Sequence, residues 1–289
     1  MTKTPPQYLV IAAVLFTSAS SIFIRLSIMP PLVIAFYRMA ISTGLMAVPL
    51  LWHKDGLKDI SRRDLLLCAL SGLALALHFA TWIASLSMTT VMASTVLVSC
   101  SPIFVALLNA AFFRKKPGKT LLFSLAAAFA GTIIITTGAG DVEGFASLPG
   151  NLLALAGAVT VSFYLLIGQE VRKRVPTAAY SFLVYGASAV FLLIFCLTFA
   201  QPLAPYSMGD FAIIAAMALV CSVGGHTLYN MLLKFHGAFL VSLATLCEPL
   251  FASILAAIIL SEIPQMQTAL GGLLVIGGLL IYIVKNREG

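Results

Sequence analysis

The sequence is poor in charge. Only 9% of its 289 residues are Asp, Glu, Lys or Arg, against about 25% in an ordinary soluble domain. With 61% hydrophobic residues, the chain lacks the polar surface that a water-soluble body needs, so the lipid bilayer must be its solvent. Reaction motifs are missing as well. There is no GxxxxGK[ST] loop, so ATP does not power the protein within this chain. HExxH, GxSxG and Cys/His clusters are absent, and no catalytic residue, metal or cofactor is expected. No membrane-embedded pair of acids is present, which argues against an intramembrane aspartyl protease. The net charge of +7 comes from 17 basic residues scattered among apolar runs. They form no basic face, and nucleic acid is excluded as a partner. Cys68, Cys100, Cys196, Cys221 and Cys247 all lie inside apolar runs without a CxxC pairing and read as small buried hydrophobes.

What is present is a series of apolar runs. A spanning helix needs about 20 mostly apolar residues. Ten runs meet that need: 8–27, 31–52, 65–87, 91–113, 119–138, 150–170, 177–200, 210–232, 238–260 and 267–284. Met1–Gln7 is short and no small-residue cleavage site follows the first run, which reads as a retained helix. Connections of a few residues force antiparallel neighbours. The expected fold is all-α, a polytopic membrane bundle of ten transmembrane helices.

The positive charges orient it. With both termini in the cytoplasm, 15 of the 17 basic residues fall inside, among them Arg62, Arg63, Arg114–Lys116, Arg172–Arg174 and Lys234. The outer loops carry Asp141, Glu143 and Glu262, with Asp210 at the outer edge of the eighth helix, and no Lys or Arg. This is the positive-inside pattern.

The chain also repeats itself. At a constant offset of 147, Pro102 falls on Pro249, Pro117 on Pro264 and Gly131 on Gly278. The stretch Ala93–Ile135 and the stretch beginning at Leu240 share one layout: an apolar helix interrupted by proline, a short turn with proline, and a second apolar helix rich in small residues. Five helices per copy is an odd number, so residues 8–138 and 150–284 form two repeats of opposite orientation. Inverted repeats recur in secondary transporters, where they surround a site near mid-membrane.

These paired units, SPIFVALLNAAFF in the first half and EPLFASILAAIILSEIP in the second, resemble the drug/metabolite transporter superfamily, above all its ten-helix EamA-type branch. The likeness spans about 8–284, and Arg38 also fits the family pattern. The first copy departs from it: Arg114-Lys115-Lys116 stands where the family often has an acid. The resemblance implies a bacterial inner membrane, transport of small metabolites or drugs, often outward, and no single substrate.

Several polar residues stand out within the spans. Glu248 is a carboxyl near the centre of the ninth helix, where a charge costs at least about 2.5–3.5 kcal/mol. It reads either as a protonatable group that couples transport or contacts substrate, or as a protonated acid bonded at a kink. Its repeat mate is Ser101. His78 and Trp82 lie four apart and share a helix face. Tyr229 matches Trp82 at the offset of 147, and His226 precedes it by three. Two His-plus-aromatic faces suit the wall of a cavity for an organic solute, or else helix packing. Tyr164, one turn after Thr160, is a further wall candidate. Arg38 reads as a gate or substrate contact or as a structural ion pair. Arg25 shares a face with Ser18 and Ser21 and reads as an anion site or as a headgroup-seeking side chain. Pro102 and Pro249 are expected to kink the fourth and ninth helices, the candidate moving parts. Ala127, Gly131, Gly271 and Gly278 allow close helix approach within a monomer or across a homodimer.

The expectation is a secondary transporter of small organic solutes such as amino acids or amphipathic compounds, an exporter, with proton coupling resting on Glu248. A non-transporting sensor or scaffold and a membrane-embedded lipid-modifying enzyme are the alternatives from other classes.

Overall fold

The computed structural model describes residues 8–52, 57, 60–112 and 148–286, and residues 118–120, 122, 123, 126, 127, 130, 131 and 134 between them. Its helices are α1 (Tyr8–Ser18), α2 (Ser20–Leu26), α3 (Pro31–Trp52), α4 (Arg62–Leu86), α5 (Val91–Val98), α6 (Ser101–Phe112), α7 (Leu148–Val171), α8 (Thr177–Thr198), α9 (Met208–Met217), α10 (Thr227–Ala244), α11 (Glu248–Ile259) and α12 (Met266–Asn286). No strand occurs among the described residues. Seven stretches are long and apolar enough to cross a membrane, and Thr245–Ile259 and Ala269–Gly278 are shorter apolar helices. Of the expected helix over 119–138, the described positions through Ile134 are helical and the remainder lies outside the described residues. So do residues 113–117, with the basic turn Arg114–Lys116, and the loop holding Asp141 and Glu143.

Polar residues at the ends start the helices. Ser61 accepts a hydrogen bond from the Asp64 amide at 3.1 Å, and Thr90 does the same for Ala93 at 3.1 Å. Ser207 and Asp210 form a reciprocal capping box. α4 forms the centre of the bundle, packed on α7 and α8, while α3 lies against α8. A Cβ at Gly72 would sit 2.5 Å from that of Ala187, so only glycine lets α4 and α8 approach this closely. The apolar side chains left outside, such as Leu66, Ile194 and Ile258, form the surface that lipid would cover. Gly271 and Gly278 are buried inside the chain, and Gly272 lies over Met92 and Val96, so these small residues pack α12 within its own protomer.

Among the described residues, regular helix is lost in five places. The first run bends at Ala19 between α1 and α2, and α5 gives way to α6 at Ser99–Cys100. A π-helical segment, Ala218–His226, separates α9 from α10. A 3₁₀ turn, Thr245–Cys247, leads into α11. A further break is Gly237, whose φ of 72° turns the chain within α10. There Gln169 accepts the amide of Ala238 at 2.6 Å and so caps the restarted helix. Pro102 and Pro249 lie in the first turns of α6 and α11, where a missing N–H costs nothing. They mark fresh helix starts. α6 and α11 are each 12 residues long and begin 147 positions apart, at Ser101 and Glu248.

Four cysteines are buried, but Cys247 is exposed. In the 3₁₀ turn its neighbour Leu246 points inward and Glu248 turns to a cavity, which leaves the intervening side chain facing out.

Candidate functional site

Four of these breaks face one cavity, through Thr17 and Ser20, Ser99 and Ser101, His226, and Thr245 and Glu248. Irregular backbone at membrane depth has polar groups that lipid cannot satisfy, and it is tolerated where it lines a cavity or lies buried in protein. The same cavity is walled by His78, Trp82, Tyr164 and Tyr229. The structure therefore brings together Glu248 and the five wall residues singled out in the sequence. Arg38, Pro102 and Pro249 lie outside this lining.

Glu248 is the acidic group of the wall. Its Oε1 accepts the hydroxyls of Thr17 and Tyr229, each at 2.8 Å. Those two oxygens are themselves 3.3 Å apart. Thr17 is held close because α1 rides on Gly225, where a Cβ would lie 2.6 Å from Thr17 Cγ2. The carboxyl thus has a fixed place against two hydroxyls and open space beside it.

The aromatic wall is built around α4. His78 stacks on Trp82 with centroids 5.9 Å apart and planes 9° from parallel. His78 Nδ1 lies 2.9 Å from the Gly157 carbonyl. A carbonyl only accepts, so Nδ1 carries the proton and Nε2 is left as the free ring nitrogen. Gly157 permits this approach, since its Cβ would meet that of Trp82 at 3.3 Å. His226 meets Tyr229 and Phe79 edge to face, at 6.2 and 5.4 Å. Tyr164 lines the cavity with its ring, because its hydroxyl is committed to Asn230 Oδ1.

Arg38 sits one layer behind. It is fully buried, its Nε donates to Ser222 Oγ at 2.8 Å in the π-helical segment, and its guanidinium lies 4.3 Å over the Phe79 ring.

Contacts close both ends of the bundle. At one end Arg25 Nη2 donates to Glu262 at 3.3 Å and to the Thr89 carbonyl at 3.0 Å, while Glu262 Oε1 accepts the Val91 amide at 2.6 Å. Arg25 is therefore in an ion pair. At the other end Arg174 bonds Asp64 at 2.8 Å and Glu170 at 2.9 Å. These acids, Asp64 before Glu170, raise the pKa of its guanidinium. Burial lowers Arg172 to about 10, still a cation at neutral pH, and its Nε donates to the Asn230 carbonyl at 2.9 Å. Asn230 thereby joins the cavity residue Tyr164 to the basic end.

Sequence reasoning missed Thr17, Ser20, Ser99, Thr245, Phe79 and Asn230. Ser99 had a readable signal, its place beside the repeated proline; Thr17 and Asn230 are lone polar residues in apolar runs and carried none.

The model of the EamA-like transporter family matches this chain twice, over residues 5–137 and 148–284. An uncharacterized transporter of Archaeoglobus fulgidus is 25% identical over 280 residues, covering 95% of this chain and 96% of the relative. The uncharacterized transporter YdfC of Bacillus subtilis is 26% identical over 196 residues, 68% of this chain and 63% of the relative. A solved crystal structure superposes with a TM-score of 0.69 at 16% identity, covering 97% of both chains, a likeness of fold.

Proposed function

The chain belongs to the EamA-like transporter family, and from that premise we propose that it is a secondary active exporter of small organic metabolites, such as amino acids or amphipathic compounds. The observation that carries this reading is the cavity itself: a polar and aromatic chamber set where four helices lose regularity. His78, Trp82, Tyr164, His226 and Tyr229 form the solute's wall. Stacked rings take an apolar body, and the ring nitrogens and hydroxyls take polar groups.

Access alternates between the two membrane faces. Ten helices, arranged as two inverted repeats over 8–138 and 150–284, rock around the site. The equal lengths and matched starts of α6 and α11, and the separate family match to each half, support this arrangement. Pro102 and Pro249 mark where the moving half-helices begin. Arg25–Glu262 closes the outer face and Arg174–Asp64 the cytoplasmic face, in the orientation that the basic residues favour. The protein sits in a bacterial inner membrane with both termini cytoplasmic, as a monomer or homodimer. Glu248 couples transport to protons: its carboxyl borders the cavity and can exchange a proton with water or solute there.

Counterflow in proteoliposomes tests the reading. Labelled amino acids, amines and small metabolites are offered to wild type and to Trp82→Ala. Exchange of one solute class, lost in the folded variant, is expected. Exchange undiminished by Trp82→Ala would remove the cavity from the pathway.

A further inference from the structure

Buried polar atoms are nearly always hydrogen-bonded, yet several around this cavity are not. Trp82 Nε1 and His226 Nδ1 in the wall have no partner, and neither do Nη1 and Nη2 of Arg38. Arg38 is the most telling case. It carries a full charge across the physiological range and is 0% exposed. Ser222 occupies its Nε, and the Phe79 face gives it cation–π contact. Its two terminal nitrogens, the bidentate edge of the guanidinium, make no hydrogen bond within the protein.

One ring connects Arg38 to the cavity wall. Phe79 touches Arg38 on one side and packs against His78, Trp82 and His226, three residues of the cavity wall. Among the described residues, Glu248 is the only acid lining the cavity, and its hydrogen bonds go to the hydroxyls of Thr17 and Tyr229. Glu248 acts on Arg38 through charge alone, with no hydrogen bond between them, and a buried guanidinium edge left without hydrogen bonds is costly.

We propose that Arg38 is the carboxylate-binding residue of the transported solute, reached when the Phe79 ring turns aside. The class is a monocarboxylate. One guanidinium matches one carboxylate in charge and in its two-pronged geometry, whereas a dianionic phosphate would leave excess negative charge beside Glu248. The proposal rests on the transporter reading and narrows it.

The test compares matched probes on wild type in proteoliposomes: the twenty L-amino acids, their amides and methyl esters, and the amines that lack the carboxyl group. Inhibition of exchange is measured for each. Carboxylates are expected to act at concentrations at least tenfold below those of their amides and esters. Arg38→Gln is expected to erase this preference and Arg38→Lys to keep part of it, in variants that elute as folded, inserted protein. Equal action of acids and amides on wild type overturns the proposal without any variant, and so does a carboxylate preference that survives in Arg38→Gln. Exchange of amines or esters alone overturns the carboxylate assignment and leaves the transporter reading standing. Exchange of no probe of any charge overturns both.

Discussion

Ser99 donates its hydroxyl to the backbone carbonyl of Thr245 at 3.1 Å, and so joins the break between α5 and α6 to the break before α11. The two residues belong to opposite halves of the chain and both line the cavity. A movement of either half-helix is therefore felt at the other.

Glu248→Gln keeps an oxygen for Thr17 and Tyr229 to donate to but removes the proton exchange. Exchange driven by a pH gradient is expected to fall at least tenfold and to lose its dependence on pH, with thermal stability little changed. Uptake rates across a pH series check this. Unchanged rate and pH dependence would end the coupling role.

Gly225→Val places side-chain carbon where Thr17 already sits, since even a Cβ lies 2.6 Å from Thr17 Cγ2. Overpacking of this kind costs about 1–3 kcal/mol. The variant is expected to melt at lower temperature and to transport poorly, because Thr17 is pushed from Glu248. A melting curve in detergent beside a transport assay separates the two effects.

Glu262→Gln removes the ion pair with Arg25 while an amide oxygen still accepts the Val91 amide. Both partners are partly solvent-accessible, at 20% and 16%, so the loss of stability is expected to stay within about 1 kcal/mol. The outer closure loosens, and the rate of counterflow changes by more than the melting temperature does. A rate unaltered within error would mean that the pair is structural only.

Asn230→Ala leaves the Tyr164 hydroxyl and Ser181 without a shared partner in the interior. Stranding buried groups costs about 1–3 kcal/mol. Tyr164→Phe in the same protein is expected to recover part of that loss, because the stranded hydroxyl is gone. A double-mutant cycle of denaturation midpoints measures the coupling.

Much of this architecture was legible because it repeats or costs energy. The offset of 147 pointed to the starts of α6 and α11 through Pro102 and Pro249, and to the pairing of Trp82 with Tyr229. Glu248 was conspicuous because a mid-span acid is expensive. The local helix breaks were less legible. A Ser-rich stretch such as Thr17–Ser21 is compatible with continuous helix, and only packing against Gly225 and the cavity explains its bend. The π-helical segment Ala218–His226 arises from tertiary contacts, with Ser222 turned to Arg38. Phe79 looked like any apolar helix residue, although its ring touches both Arg38 and the wall residues His78, Trp82 and His226. Arg25 gave no sign of its partner, because Glu262 lies 237 positions away.

The most direct measurement is the accessibility of one cavity position from each side of the membrane. Ser101→Cys, in a background with the native cysteines replaced, puts a thiol in the cavity at the start of α6. A membrane-impermeant thiol reagent is applied to inside-out and right-side-out vesicles, with and without the exchanged solute. Labelling from both faces, slowed from both by the solute, is the expected result for a central site with alternating access. Labelling from one face alone, or at a rate indifferent to the solute, would contradict it.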